Sequence, residues 1–388
     1  SKEWFDAMLT LEYGEEAEND NQTAKTISLS FGRVAKEAGS ERIFVLKSPS
    51  KCPIPLAIEE ISGIEVKFSF TDREDFVKGF EVASVRDFTL RLKAKLQDVD
   101  FLNSVDWSKC TKATIDANNP GKLMNKLIDA FNELDLVEGF DLKENLENNI
   151  SFVFGPPGTG KTTYLANHIN TLMSEEYQCK ILVLCPTNKA CDVLTQKVYD
   201  ICQTNEWLAR FVATGEENIE NLGLVHDRDS YIYNQDQCCV VSTIARLPYD
   251  GFNKIHPASR LKDLKWDYVI IDEASMIPLA QVVFAIYKFS PDAKIIIAGD
   301  PMQITPIVHE EEWKRENIYT MVKLDRFDNP QTEPIQFEIR NLETQYRSLP
   351  PIGRVFSEYA YAGLLNHHRA EKDETAVKLN LPDMPLKP

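Results

Sequence analysis

The chain has 388 residues, 43% of them hydrophobic and 27% charged, and a formal net charge of −17. That size and balance suit two or three globular domains, and no apolar run approaches the roughly eighteen residues of a membrane-spanning helix. The acidic excess argues against broad coating of a duplex, since phosphate contacts need Lys and Arg, but leaves a narrow strand groove open.

The start, Ser1-Lys2-Glu3-Trp4, lacks a basic-then-apolar export signal. A first residue other than Met and the ending Leu386-Lys387-Pro388 read as a fragment of a longer protein. Residues 1–23 form an acidic N-terminal segment, with a short helix expected to carry Trp4, Phe5, Met8 and Leu9 on one side, followed by Glu12, Glu15, Glu16, Glu18 and Asp20. Such a charge cluster is ordinarily just a solvated segment.

Over 24–110 the periodicity drops towards two. Strands are expected at 27–31, 43–46, 64–70 and 88–92, separated by Gly, Ser and Pro, which makes a small sheet or barrel. Helical spacing returns at Leu123, Leu127, Ile128, Phe131 and Leu134, so residues 111–149 read as a helical stalk. From Ile150, strands at 150–154, 181–185, 239–242, 268–271 and 294–298 alternate with helices at 161–174, 188–202 and 279–288. This is the α/β pattern of a parallel sheet with helices on both faces, whose ligands bind at the carboxyl ends of the strands. The polar stretch 215–237 reads as a short insertion within a domain spanning 150–335. The eight cysteines (Cys52, Cys110, Cys179, Cys185, Cys191, Cys202, Cys238 and Cys239) contain no Cys-x-x-Cys pair, and most sit in apolar surroundings. Buried reduced thiols are expected rather than zinc ligands, which points to the cytoplasm.

The first chemical signal follows the strand at 150–154. Gly155-Pro156-Pro157-Gly158-Thr159-Gly160-Lys161-Thr162, with Thr163 after it, is a complete Walker A phosphate loop in the strand–loop–helix context that gives the motif meaning. Its glycines let backbone N–H groups crowd around phosphate oxygens at a helix N-terminus. Lys161 then supplies charge to the β- and γ-phosphates, and the Thr162 hydroxyl can ligate Mg²⁺. A nucleoside triphosphate is the expected ligand, with Mg²⁺ as cofactor.

Two further strands end in polar groups. Tyr268-Val269-Ile270-Ile271 runs into Asp272-Glu273. Adjacent acids at a strand tip often mean only a solvated turn, but beside a Walker A loop Asp272 can hold Mg²⁺ and Glu273 can orient and deprotonate water. Ile295-Ile296-Ile297-Ala298 runs into Gly299-Asp300-Pro301-Met302-Gln303, and Gln303 could report whether a γ-phosphate is intact. Alone, that segment would pass for an ordinary turn.

As an ordered set these segments resemble the superfamily 1 helicases. The set comprises the Walker A loop, Pro186-Thr187-Asn188-Lys189-Ala190, Asp272-Glu273-Ala274-Ser275 and Gly299-Asp300-x-x-Gln303-x-x-Pro306. Leu342-x-x-Gln345-Tyr346-Arg347 and Phe356-x-x-x-x-Tyr361-x-Gly363-x-Leu365 narrow the resemblance to the up-frameshift (nonsense-mediated decay) subgroup, over about residues 150–365. For 1–149 it rests only on order, a β-barrel-like module with helical stalks preceding the motor. The resemblance implies a RecA-like lobe at 150–335, the start of a second RecA-like lobe at 336–388, and ATP-driven 5′ to 3′ movement along single-stranded DNA or RNA by a monomer. It makes Lys161, Asp272, Glu273, Gln303 and Arg347 the catalytic set, with Arg347 a cation that reaches the γ-phosphate from the second lobe. It also implies that Pro186, Thr187, Asn188 and Thr243 touch the nucleic-acid backbone. Thr187 and Asn188 are equally good helix caps, and one turn can do both jobs.

Three departures accompany it. The subgroup carries an adenine-reading glutamine upstream of the loop, whereas residues 98–177 contain none. The insertion is short, and the later motifs, including a second arginine, are not present after Tyr361. Slow hydrolysis by the chain alone is therefore expected. The alternative reading is a nucleotide-dependent binding or switch protein that does not translocate.

Overall fold

The computed structural model describes residues 27–48, 58, 64–86, 88–117, 121–134, 149–211, 214, 216–251, 260–306, 316–324 and 337–369. The helix and acidic segment expected within 1–23 lie outside the described residues. Among the described residues no helix is long and apolar enough to cross a membrane.

The first unit is an antiparallel sheet of seven strands. These are β1 (Ile27–Phe31), β2 (Arg33–Lys36), β3 (Ile43–Lys47), β4 (Ile64–Phe70), β5 (Phe76–Arg86), β6 (Thr89–Ala94) and β7 (Cys110–Ala117), in the order β1-β7-β4-β5-β6-β3-β2. The sheet curls until β2 lies near β7, close to a barrel. Alternation explains it: along β4, Ile64, Val66 and Phe68 point inward while Glu65 and Lys67 stay exposed. Phe44, Phe68, Phe80 and the Trp107 ring pack at this core. A short helix, α1 (Val99–Asn103), leads into β7. Residues 111–117, expected in a helical stalk, instead complete β7, which pairs with both β1 and β4. Only Ala113 and Ile115 of that strand are recorded in the core, too weak an apolar signal to mark it beforehand. The expected stalk helix is present as α2 (Gly121–Asn132).

The second unit is an eight-stranded sheet, β11-β10-β12-β9-β13-β14-β8-β15, parallel at every pairing. Its strands are β8 (Ile150–Phe154), β9 (Cys179–Cys185), β10 (Leu208–Phe211), β11 (Val225–His226), β12 (Gln237–Thr243), β13 (Tyr268–Ile271), β14 (Lys294–Gly299) and β15 (Glu338–Asn341). Being buried on both faces, the inner strands read as continuous apolar runs. In β14, Ile295 and Ile297 enter the core under one face, Ile296 and Ala298 that under the other. One core holds Leu165 and Ile169 of α3 (Lys161–Glu175) and Leu194 and Val198 of α4 (Asn188–Cys202). The other holds Leu127 and Phe131 of α2 and Val282 and Phe284 of α6 (Leu279–Phe289). The stretch 215–237 contributes a short helix, α5 (Glu217–Asn221), and the edge strand β11, so it is woven into the sheet rather than set aside as an insertion. Lys93 of β6, nearly buried, pairs with Glu220 of α5 and joins the two units.

After α7 (Ile318–Met321) the chain returns to this same sheet: β15 pairs with β8. The segment expected to open a second lobe thus supplies an edge strand to the first. The parallel pair β16 (Thr344–Gln345) and β17 (Asn366–His367) flanks α8 (Pro350–Ala360), after which Tyr361 and Leu365 bury in the lobe's core.

Candidate active site

Because every strand of the second sheet runs the same way, all the motif loops leave it along one edge. β14 alone separates β13 from β8, so the Asp272-Glu273 tip and the phosphate loop lie about two strand spacings, ~9.5 Å, apart. That gap is the site.

The phosphate loop is shaped by its glycines. Gly158 and Gly160 adopt φ of +77° and +82°, conformations that cost most residues about 1–2 kcal/mol. Thr159 is turned inward, its hydroxyl donating to Pro156 O at 2.8 Å. Gly155 N donates to Gly299 O at 3.0 Å, tying the loop to the end of β14. Gly160 caps α3, whose first amides have no acceptor within the helix and can receive an anion. Lys161, only 6% exposed, extends from this turn and places Nζ 2.7 Å from Glu273 Oε2.

The two carboxylates sit differently. Asp272 is 3% exposed and its Oδ1 accepts from Glu273 N at 2.9 Å. Burial pushes its carboxyl up to about 6, opposed by Lys161 and aided by the negative charge of Glu273. Glu273 has φ +51°, a left-handed conformation uncommon outside glycine, and it lines the cleft. Strain of this kind at a strand tip is characteristic of functional positions. Asp300, at the tip of β14, is fully buried. It accepts from Met302 N and Gln303 Nε2, both at 3.0 Å, and from the Tyr361 hydroxyl at 2.7 Å.

The cleft has a volume of about 350 Å³; Lys161, Thr162, Glu273, Gln303, Tyr346 and Arg347 line it, with Gly155, Pro156, Pro157, Gly158, Gly160 and Thr163. The sequence candidates for nucleotide chemistry therefore converge, except that Thr159 turns inward and Asp272 lies deeper. Arg347 is exposed and its Cβ lies 2.7 Å from where a Cβ on Gly158 would stand. The turn carrying it is locked: Tyr346 N donates to Gly158 O at 2.8 Å, and buried Gln345 both donates to Ser348 O and accepts from Ser348 N at 2.8 Å. Tyr346 was not among the sequence candidates. Its half-exposed ring, 4.8 Å from that of His368, gives the cleft an aromatic wall.

The cleft suits a nucleotide, since Gly158 leaves its wall open where a side chain would collide with Arg347, whose Cβ stands 2.7 Å away. For Mg²⁺, the donors are the Thr162 hydroxyl and the Asp272 carboxylate. Among the described residues no three His, Cys, Asp or Glu groups gather to cage a metal. A sparse set of hard oxygens matches Mg²⁺, which keeps its waters and takes substrate phosphate oxygens.

The expected nucleic-acid residues divide. Pro186 and Thr187 are half-buried at the end of β9, where the Thr187 side chain caps α4 by accepting from Ala190 N at 3.2 Å. Asn188 is buried and its Oδ1 accepts from Arg210 Nη2 at 2.7 Å, while Arg210 Nε donates to Asp192 at 2.8 Å. Thr243 is fully buried, level with Cys185 in the sheet. The Asn188 and Thr243 side chains thus present no surface to a strand. A buried guanidinium needs its acceptors, and Asn188 is one of them.

A family model described as an AAA domain matches residues 141–309. Replicase polyprotein 1ab of Alphamesonivirus 1 is 26% identical over 226 residues, covering 57% of this chain and 4% of the relative. The DNA replication ATP-dependent helicase/nuclease dna2 of Schizosaccharomyces pombe is 26% identical over 226 residues, covering 55% and 14%. The ATP-dependent helicase NAM7 of Saccharomyces cerevisiae is 24% identical over 278 residues, covering 65% and 28%. The match thus spans between 4% and 28% of these relatives' lengths.

Proposed function

The chain belongs to the superfamily 1 helicases of the up-frameshift type, and on that premise we propose that it binds and hydrolyses ATP to move along single-stranded nucleic acid, 5′ to 3′. The observation that carries the proposal is the Lys161–Glu273 pair, 2.7 Å apart, in a cleft shared with Gln303 and Arg347. Polyphosphate entering the cradle competes for Lys161, which releases the Glu273 carboxylate to take a proton from water. Mg²⁺, held through Thr162 and Asp272, would neutralise phosphate charge. Gln303, its amide anchored on Asp300, faces the position of the last phosphate. Arg347, held against the phosphate loop, supplies the cation that offsets charge developing on the transferred group. Tyr346 offers a ring on which a base can stack, so base preference need not depend on an upstream glutamine.

The strand is proposed to cross the C-terminal edge of the parallel sheet, past the turns after β9 and β12. With Asn188 and Thr243 buried, contact there falls to backbone groups and to Thr187, which suits binding without sequence preference. The same burial favours the rival reading, a nucleotide switch that does not translocate. The buried thiols of Cys179, Cys185, Cys191, Cys238 and Cys239 support a reducing, cytoplasmic setting. Since most of each relative's length lies outside the match, slow turnover by these 388 residues alone is part of the proposal.

Lys161→Ala should lower Mg-nucleotide affinity about a hundredfold, the loss of a charge-assisted contact, and Glu273→Gln should keep binding while abolishing hydrolysis. Calorimetry and a phosphate-release assay, each with and without a single-stranded oligonucleotide, read both. Unchanged affinity in Lys161→Ala would sink the assignment of the loop. Hydrolysis indifferent to the oligonucleotide, in this chain and in a version extended to its relatives' length, would favour the switch.

A further inference from the structure

Asp300 Oδ2 accepts two hydrogen bonds, from Gln303 Nε2 at 3.0 Å and from the Tyr361 hydroxyl at 2.7 Å. The two donors come from different parts of the chain. Gln303 belongs to the turn after β14, whereas Tyr361 stands 61 residues beyond Asp300, just past the end of α8. Tyr361 is 3% exposed and its ring meets Phe356 edge-on at 6.3 Å. A phenylalanine would fill that space equally well; the hydroxyl adds a charge-assisted bond to a fully buried carboxylate, a strong class of hydrogen bond.

A carboxylate removed from water keeps its place only while donors satisfy it. Burial raises the Asp300 carboxyl, and the bonds from Tyr361, Gln303 and Met302 oppose that rise. A glutamine amide has two N–H donors and one carbonyl acceptor. With one N–H committed to Asp300, the rest of the Gln303 amide is presented to the cleft in a set orientation.

We propose that Tyr361 is a positioning residue for recognition of a triphosphate: its hydroxyl pins Asp300, and Asp300 aims Gln303 at the terminal phosphate. This rests on the reading of Gln303 given above. The same downstream segment carries Tyr346 and Arg347, and Tyr346 N already holds Gly158 O. One stretch of chain therefore grips the phosphate loop at one end and the Gln303 turn at the other. The cation and the amide that face the last phosphate are set by a common strap.

The test is Tyr361→Phe in the full chain, with calorimetric affinities for ADP and for a non-hydrolysable ATP analogue in Mg²⁺. Loss of the hydroxyl should weaken the triphosphate about three- to tenfold and ADP less than about twofold. In Gln303→Ala the triphosphate preference should already be lost, and adding Tyr361→Phe should change it no further, the signature of one residue acting through another. If Tyr361→Phe does not fold, Asp300→Asn carries the test and should show the same selective loss. Equal losses for both nucleotides, full additivity with Gln303→Ala, or an unchanged triphosphate affinity would each overturn the role of Tyr361. A wild-type protein binding neither nucleotide would overturn the assignment of the site itself, and Tyr361 with it.

Discussion

The two sheets follow the same alternation of side chains but use charge differently. Among the described residues of the antiparallel module the nearly buried charges are Lys93 and Asp98, paired with Glu220 and Lys78. In the parallel sheet Lys161, Asp272 and Asp300 are all buried near strand tips along one edge. An antiparallel sheet sends its turns to both ends, so polar groups scatter. A parallel one brings every strand's carboxyl end to the same side, and residues over a hundred positions apart in sequence can share one cleft. Chemistry collects where topology aligns the chain ends.

The sharpest way to break this comparison is a pair of matched glycine substitutions. Gly39→Ala, in the module, meets no atom within 4 Å and bears only the strain of φ +88°, about 1 kcal/mol. Gly158→Ala bears similar strain at φ +77° and also drives its Cβ to 2.7 Å from Arg347 Cβ. The expected result is a loss of about 2–4 kcal/mol, or displacement of the arginine turn, with nucleotide binding lost. Thermal melts and calorimetry should separate the two; equal effects on binding would erase the distinction between the regions.

Asp272→Asn sharpens the contrast through pH. Burial raises the folded carboxyl from the ordinary 3.8 to about 6. Its favourable contribution is complete below 3.8 and is lost as pH rises through 6, so at neutral pH the fold carries a buried charge at a cost. Asn should therefore stabilise the protein by on the order of 2 kcal/mol at pH 7–8. That gain should shrink between pH 6 and 4. Denaturant titrations without nucleotide or divalent metal would show it, and a gain independent of pH would refute the assignment.

The smallest effect is expected at the junction. Glu220→Gln removes the charge facing nearly buried Lys93 but keeps an acceptor oxygen on a partly exposed side chain, and should cost about 1 kcal/mol, while nucleotide affinity stays unchanged. A melt that splits into two transitions would show that this pair couples the sheets; no change would mean that other contacts do.

Much of this was legible in the residues alone, wherever a local rule was strong. Apolar runs bounded by turn residues marked β8, β9, β12, β13 and β14, because a strand buried on both faces cannot afford polar positions. The phosphate loop was legible because positive φ demands glycine and a phosphate demands Lys161. Of the strands not marked by the residues, β2, β10, β11 and β15 are short, and β15 and β11 lie at the edges of their sheet, where one side faces no partner and polar residues are tolerated; the long β5 has its alternation broken by a register shift between Val82 and Ser84. Only the tertiary structure decided that Asn188 serves Arg210 and Thr243 lies in the core, since burial depends on what packs above a position and not on the residue itself. It alone decided that the chain after 336 returns to the first sheet, and that Tyr361 meets Asp300. Hydrogen bonds between distant segments follow from topology, and no local pattern in either segment announces the other.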